Sequence, residues 1–233
     1  MIFARILFLL CLFITGCTAQ NFKEPASIGQ EHKYAPPQPE SWKLDNGLTV
    51  MFLPDHELPL VSGFLFIKGG SLWESHHEKG VVSALGAQLR SGGAGNLDPL
   101  ELDEKLSGLA AQVSSGFGAE FGNITFSSMA SDLDQVFSIF SDVVLRPRFD
   151  NGRLDLWRKQ VIDSIERRRD DPGTVARIAF DRITYGNTPY GWSLESRDVK
   201  KIDRASLKRM YEKLIYPDQA ILGITGDLSK AAA

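Results

Sequence analysis

Asp45-Asn46-Gly47 is the strongest short hairpin signal in the chain. It lies between two extended stretches within 42–53, and Asn-Gly tolerates the positive φ that a tight antiparallel connection demands. Residues 60–68 read as a third strand closed by Gly69-Gly70. Apolar residues at helical spacing, Val81, Val82, Leu85 and Leu89, then predict a helix over 80–90 that stops before Gly92-Gly93. Asp98-Pro99-Leu100-Glu101 places a cap, a first-turn proline and a Glu three residues after the cap, predicting a helix to about residue 109. Two strands follow over 111–115 and 120–128, with a turn at 116–118. Leu133, Val136, Phe137, Phe140, Val143 and Val144 mark a helix ended by Arg146-Pro147. Leu154, Trp157, Val161 and Ile165 mark a long one running to near Asp171-Pro172. Shorter helices fit 175–185 and 204–214, and 219–225 is a last strand. Strands and helices in this irregular order, without an internal repeat, predict an α+β fold with helices packed on one face of a mainly antiparallel sheet.

Composition narrows the class. The chain has 233 residues, of which 43% are hydrophobic and 24% charged, so collagen-like, fully disordered and multispanning membrane classes fall away. The 26 Lys and Arg residues are offset by 29 Asp and Glu, which argues against nucleic acid as a partner. The local basic run Arg167-Arg168-Arg169 is followed by Asp170-Asp171 and reads as a solvated helix end.

The first residues read as a targeting segment. One basic residue, Arg5, precedes an apolar run over 6–14 that is too short to span a bilayer but suits a signal sequence. Ile14-Thr15-Gly16-Cys17 resembles the lipobox of bacterial lipoproteins, which implies a signal peptide over 1–16 and a lipidated Cys17 at the new N-terminus. A plain signal peptide with a chance cysteine is the alternative. Several acyl chains on one Cys anchor stably, because each buried CH₂ contributes about 0.8 kcal/mol. Cys11 falls in the removed segment, so the expected mature chain has neither a free thiol nor a disulfide. Thr18 after the Cys, where Asp would retain a lipoprotein at the inner membrane, implies by the same resemblance the outer membrane facing the periplasm. Residues 17–41, with Pro25, Pro36, Pro37 and Pro39, read as a tether. A soluble domain follows over 42–229, then a tail over 230–233.

Several stretches share their order and spacing with one family. Residues 44–50 (Leu-Asp-Asn-Gly-Leu-Thr-Val), Gly69-Gly70-Ser71-Leu72-Trp73-Glu74 and Glu78-Lys79-Gly80 resemble the opening of the pitrilysin/insulinase (M16) peptidase fold. The resemblance continues through residues 142–149, Asp170-Asp171-Pro172, Pro189-Tyr190-Gly191, Tyr216-Pro217-Asp218 and Gly226-Asp227. Active members carry His-x-x-Glu-His on the helix that starts at this glycine. The spacing puts two imidazoles on one face to hold Zn²⁺ while the Glu polarises the metal-bound water. The corresponding residues here are Ser83-Ala84-Leu85-Gly86-Ala87, with neither imidazole nor general base. The third ligand's place falls at about Ser164, or at Asp163 one residue away. The resemblance therefore implies a non-catalytic relative with no metal of its own.

Other routes to catalysis have little support. His76-His77 precedes a helix without a third histidine within reach, His32 sits in the tether, and His56 lies beside Asp55 and Glu57 as a locally hydrogen-bonded or solvated side chain. No Gly-x-Ser-x-Gly elbow is present, and only a Ser–His arrangement assembled in three dimensions stays open. Gly92-Gly93-Ala94-Gly95 lacks the Lys of a phosphate loop and reads as a flexible connection.

Family precedent supplies the functional expectation. Processing members pair a zinc-bearing subunit with a silent homologue, and peptides bind in extended form along a sheet edge. That implies a heterodimer with a zinc-bearing M16 homologue and a peptide-binding edge at Gln112, Val113, Ser114, Ser115 and Gly116. At Ser114-Ser115 the family commonly has Asn-Ala, and an edge strand without a ligand is the plainer reading. A structural or assembly role in the envelope is one alternative function, and a zinc endopeptidase with a displaced site is another. Family subunits pair two domains of this size, so the length implies signal, tether and one half-subunit, or a fragment of a longer chain.

Overall fold

A computed structural model describes residues 35–229. The expected signal peptide, Cys17, His32 and the tail over 230–233 lie outside the described residues, as does the tether up to residue 34.

The Asn-Gly turn forms as expected. β1 (Glu40–Lys43) and β2 (Thr49–Pro54) pair antiparallel, and the Asn46 side chain accepts from the Leu48 amide at 3.0 Å while Gly47 takes φ 92°. β3 (Leu60–Lys68), β4 (Gln112–Phe117), β5 (Phe121–Met129) and β6 (Ala220–Gly226) complete a six-stranded sheet of order β1-β2-β6-β3-β5-β4. Every neighbouring pair is antiparallel except β2 with β6.

Alternation along the strands sorts the two faces. Val61, Leu65 and Ile67 of β3 and Ile124 and Phe126 of β5 are buried, while Leu60, Phe64 and Phe121 on the other face are exposed. The buried face packs against α1 (Val81–Ser91), α2 (Pro99–Gly108), α3 (Leu133–Leu145), α4 (Asn151–Arg167) and α7 (Arg204–Leu214), which share one hydrophobic core with it. α5 (Pro172–Tyr185) has no buried residue, and α6 (Ser196–Val199) is a single turn. This is the α+β arrangement expected, with the last strand inserted in the middle of the sheet. Among the described residues no helix is long and apolar enough to cross a membrane.

Local chemistry explains the helix starts. Asp98 accepts from the Leu100 and Glu101 amides, and Glu101 returns a bond to the Asp98 amide at 2.8 Å. α1 opens on Gly80 at φ 86°, a residue without a side chain to cap it.

Three local expectations are corrected. The β4–β5 turn lies at Ala119-Glu120, closed by Gly118 N–H to the Phe121 carbonyl at 2.8 Å, rather than at 116–118. Gly116 and Phe117 continue the ladder opposite Asn123 and Gly122, and a Cβ on Gly122 would sit 2.3 Å from the Phe117 ring. Glycine here marks close approach within a strand, not a turn. The segment Gly92-Gly93-Ala94-Gly95 is pinned rather than flexible. Ala94 is fully buried and bridges Leu97 and Pro147, and the Gly92 and Gly93 carbonyls accept from Asp150 and Arg148 at 3.1 and 3.0 Å. Arg168 is not solvated: its guanidinium donates to the Leu194 carbonyl at 2.7 Å, the Ser193 hydroxyl at 3.1 Å and Glu195 at 2.7 Å. The segment it ties down lies about 25 residues ahead in sequence, which is why charge patterning alone does not find it.

Candidate functional site

α1 is buried along most of its surface, and the exception is one stripe. Ser83 is exposed and Ala87 and Arg90 are half-buried, while Val82, Ala84, Leu85, Gly86, Gln88 and Leu89 are buried. Residues four apart share a face, so the positions that hold imidazoles in the inferred motif form the open side of this helix. At the positions where the family resemblance puts the two imidazoles, this stripe presents a hydroxyl and a methyl.

Glu74 supplies the cap that Gly80 lacks. Its carboxylate accepts from the Gly80 amide at 3.1 Å and from the Val82 amide at 2.6 Å, although it arrives from six and eight residues upstream. Burial pushes this carboxyl up to about 7, against the opposing pull of those two amide donors. Gly69-Gly70 brings it there by lying against the β4–β5 turn. Ser71 and Leu72 amides donate to the Gly118 and Ala119 carbonyls at 3.0 Å, and a Cβ on Gly70 would stand 2.4 Å from the Ala119 oxygen.

Gly86, where the resemblance puts the general base, is held against the edge strand. A Cβ there would lie 2.7 Å from the Phe117 nitrogen and 3.1 Å from Gly116. Ser115 fastens the same contact: its hydroxyl donates to the Gly86 carbonyl at 2.6 Å and accepts from the Arg90 amide at 3.2 Å. Arg90 extends this clamp. Its Nε donates to the Val113 carbonyl at 3.1 Å, and its guanidinium pairs with Asp103 at 2.8 Å, whose other oxygen is held by Arg153 at 2.9 Å.

These contacts define what remains of the proposed edge. Because Gly118 and Phe121 form a hydrogen-bonded pair, alternation turns the backbone groups of Val113, Ser115 and Phe117 outward from β5. Val113 already has its carbonyl occupied by Arg90. Ser114 is committed to Thr125 through a 2.7 Å hydroxyl contact on the open face. The five residues 112–116 therefore are edge-strand residues as expected, but part of that edge is closed by the protein itself.

The position that the resemblance gives the third ligand lines a neighbouring cavity. Ser83 lines a cavity of about 180 Å³ with Glu74 and Trp192, whereas Ser164 lines one of about 270 Å³ with Arg168 and Thr174. Trp192 and Leu194 contribute to both. Asp163 and Ser164 are both exposed on α4. Two hydroxyls and a methyl at the three ligand positions that the resemblance implies do not fit zinc.

The histidines do not assemble another centre. His76 and His77 lie on an exposed 3₁₀ turn with their rings 6.2 Å apart and edge-on, and His76 packs against Trp192 at 5.2 Å. His56 is hydrogen-bonded, but to Asp227 at 2.7 Å across the fold rather than to its neighbours Asp55 and Glu57. Among the described residues no serine hydroxyl bonds a histidine, and no three His, Cys, Asp or Glu side chains are placed to hold a metal ion. Sequence reasoning missed Glu74, Arg90, Arg168 and Trp192 as organising residues. Of these only Glu74 carried a signal, through its place in the Gly69–Glu74 block.

Comparison with known proteins decides the family. The profile described as Insulinase (Peptidase family M16) matches residues 50–198, well over half the chain. This chain belongs to peptidase family M16. Within that family it is similar to a Helicobacter pylori protein named Non-peptidase homolog YmxG, with 20% identity over 181 residues, 77% of this chain and 42% of that protein. The M16 fold is matched by the crystal structure of a peptidase M16 inactive domain from Pseudomonas fluorescens. There the TM-score is 0.79 at 22% identity, over 84% of this chain and 48% of the other. The periplasmic protease PqqL from Escherichia coli is matched with TM-score 0.72 and 22% identity, over 85% of this chain and 23% of its own. This M16 chain thus spans less than half the length of each of these relatives.

Proposed function

We propose that this M16 protein is non-catalytic and acts as a peptide-binding partner of a zinc-bearing homologue in the bacterial envelope, lipid-anchored through Cys17 at the outer membrane. One observation carries the reading: the open stripe of α1 is preserved as a surface, yet it presents Ser83 and Ala87, with Gly86 pressed against β4 where the general base would stand. Zinc-activated water needs three protein ligands and a base. Strand addition needs outward backbone groups rather than metal ligands, so the part of the β4 edge that Arg90 leaves open is the surface assigned to the peptide. The names of the two relatives described as non-peptidase and inactive support the same direction, and the periplasmic neighbour supports the compartment.

The test uses the full chain purified from envelope. The expected result is no stoichiometric zinc, no cleavage of unstructured peptides by the chain alone, and co-purification with an M16 homologue that carries an intact His-x-x-Glu-His. One zinc per chain would overturn the non-catalytic reading. An envelope pull-down that recovers no M16 homologue would overturn the partner role, and release of the chain without detergent would overturn the anchor.

A further inference from the structure

A cavity of about 490 Å³ lies between the C-terminal half of α5, the loop over 186–193 and Lys79, and the proposed function makes no use of it. It shares Lys79 and Trp192 with the cavity lined by Ser83 but contains neither motif position.

The charges that line it divide into two groups. Lys79 is satisfied by Asp198 at 3.2 Å and the Ser193 carbonyl at 3.4 Å, and Glu195 is satisfied by Arg168 at 2.7 Å. Arg182 and Arg197 also line the cavity, and among the described residues neither guanidinium has a hydrogen bond or an ion pair. Glu195, the acidic side chain of the wall, is thus engaged by Arg168 from outside the lining, Lys79 likewise by Asp198, and Arg182 and Arg197 remain as cations. Asn187 adds to them, because its oxygen accepts from the Trp192 indole at 3.2 Å and its amide NH₂ is left as a donor. Trp192 and Ile178 supply apolar wall beside these donors.

The loop that carries Asn187 is built rather than slack. Gly191 is buried so tightly against Gly186 that a Cβ would stand 2.3 Å from its carbonyl oxygen. The Gly191 amide donates to the Thr188 carbonyl at 2.9 Å, and the Thr188 hydroxyl donates to the Tyr185 carbonyl at 2.8 Å. A site whose walls are already folded binds without the cost of ordering them.

We propose that this cavity is a binding site for an oxyanion carried on an apolar body, held by Arg182 and Arg197 with the body against Trp192. Guanidinium groups bind carboxylate and phosphate through paired N–H donors, and either headgroup satisfies the charge. A bare ion does not use the apolar wall or fill a space of this size.

Calorimetric titration of the full chain tests the proposal with four probes: 3-phenylpropionate, phenyl phosphate, inorganic phosphate and the neutral 3-phenylpropionamide. Both aryl anions are expected to bind saturably, with the amide and inorganic phosphate each about tenfold weaker or more. Whichever aryl anion binds tighter assigns the headgroup. Arg182→Gln and Arg197→Gln are each expected to weaken the aryl anions about tenfold, while Arg146→Gln, which removes the same charge from an Asp142-paired arginine outside the cavity, leaves them unchanged. Both cavity arginines are exposed, so an unaltered melting temperature verifies that the variants fold. Absence of saturable binding, an amide that binds as well as the acid, or equal loss in Arg146→Gln would each overturn the site. Inorganic phosphate binding as tightly as phenyl phosphate would overturn the apolar body.

Discussion

Glu74 shows how one side chain links sequence, helix and solution behaviour. Its carboxyl is held near 7 by burial, well above its ordinary value of 4.5, so in the folded state it keeps its proton to higher pH than in the unfolded chain. Stability assigned to this residue is fully present below about pH 4.5 and is lost as pH rises toward 7, because across that window the unfolded chain releases a proton that the folded one retains. The slope is at most about 1.4 kcal/mol per pH unit from this group. Glu74→Gln removes the titration while leaving an acceptor for the α1 amides. Urea unfolding between pH 4.5 and 8 is expected to lose that component of its slope in the variant, and an unchanged slope would assign the pH dependence elsewhere. At the same scale, the positions implied by the family resemblance are read from the sequence, Ser83, Gly86 and Ala87 by counting from Gly80 and Ser164 or Asp163 from the family's longer spacing. The organising contacts of Arg90 and Arg168 are not. Their partners lie 13 to 27 residues away in sequence, and two of them are backbone carbonyls that carry no side-chain signature.

Among elements, the contact of α1 with β4 is the informative one. A glycine inside a helix normally gains up to about 1 kcal/mol on replacement by alanine. At Gly86 the sign is expected to reverse. A Cβ would lie 2.7 Å from backbone of β4, so Gly86→Ala is predicted to destabilise by about 1–3 kcal/mol, measured by denaturant midpoint. Gly86→Glu, which restores the residue an active member would carry, costs at least as much for the same reason. The strands and helices are largely foreseen because their periodicity and caps are local: 60–68 and 204–214 coincide with β3 and α7. The turn expected at 116–118 is misplaced because glycine has two uses, positive φ and close approach, and only the packing of Gly116 and Gly122 distinguishes them.

For the molecule as a whole, β6 is decisive. It comes last in the chain yet lies between β2 and β3, parallel to one and antiparallel to the other. Both flanking strands lose a ladder partner without it. A chain ending at Gln219 is therefore expected to unfold without a cooperative transition in urea, whereas one ending at Leu228 retains it. A cooperative transition in the shorter chain would show that β1 to β5 form an independent sheet.

The sequence alone determined the class of fold, through periodicity and caps that are local, and the family resemblance, through blocks whose order holds along the chain; the expectation that α1 carries no metal ligands rests on that resemblance. Only the tertiary structure decided where β6 pairs, that Ser83 and Ser164 open into different cavities, that Arg90 closes part of the β4 edge, and that Arg182 and Arg197 stand unpaired in one cavity. The physical reason is common to all four. Hydrogen bonds and charges are satisfied by whatever the folded chain brings near, and nearness across tens of residues is set by packing rather than by any local pattern.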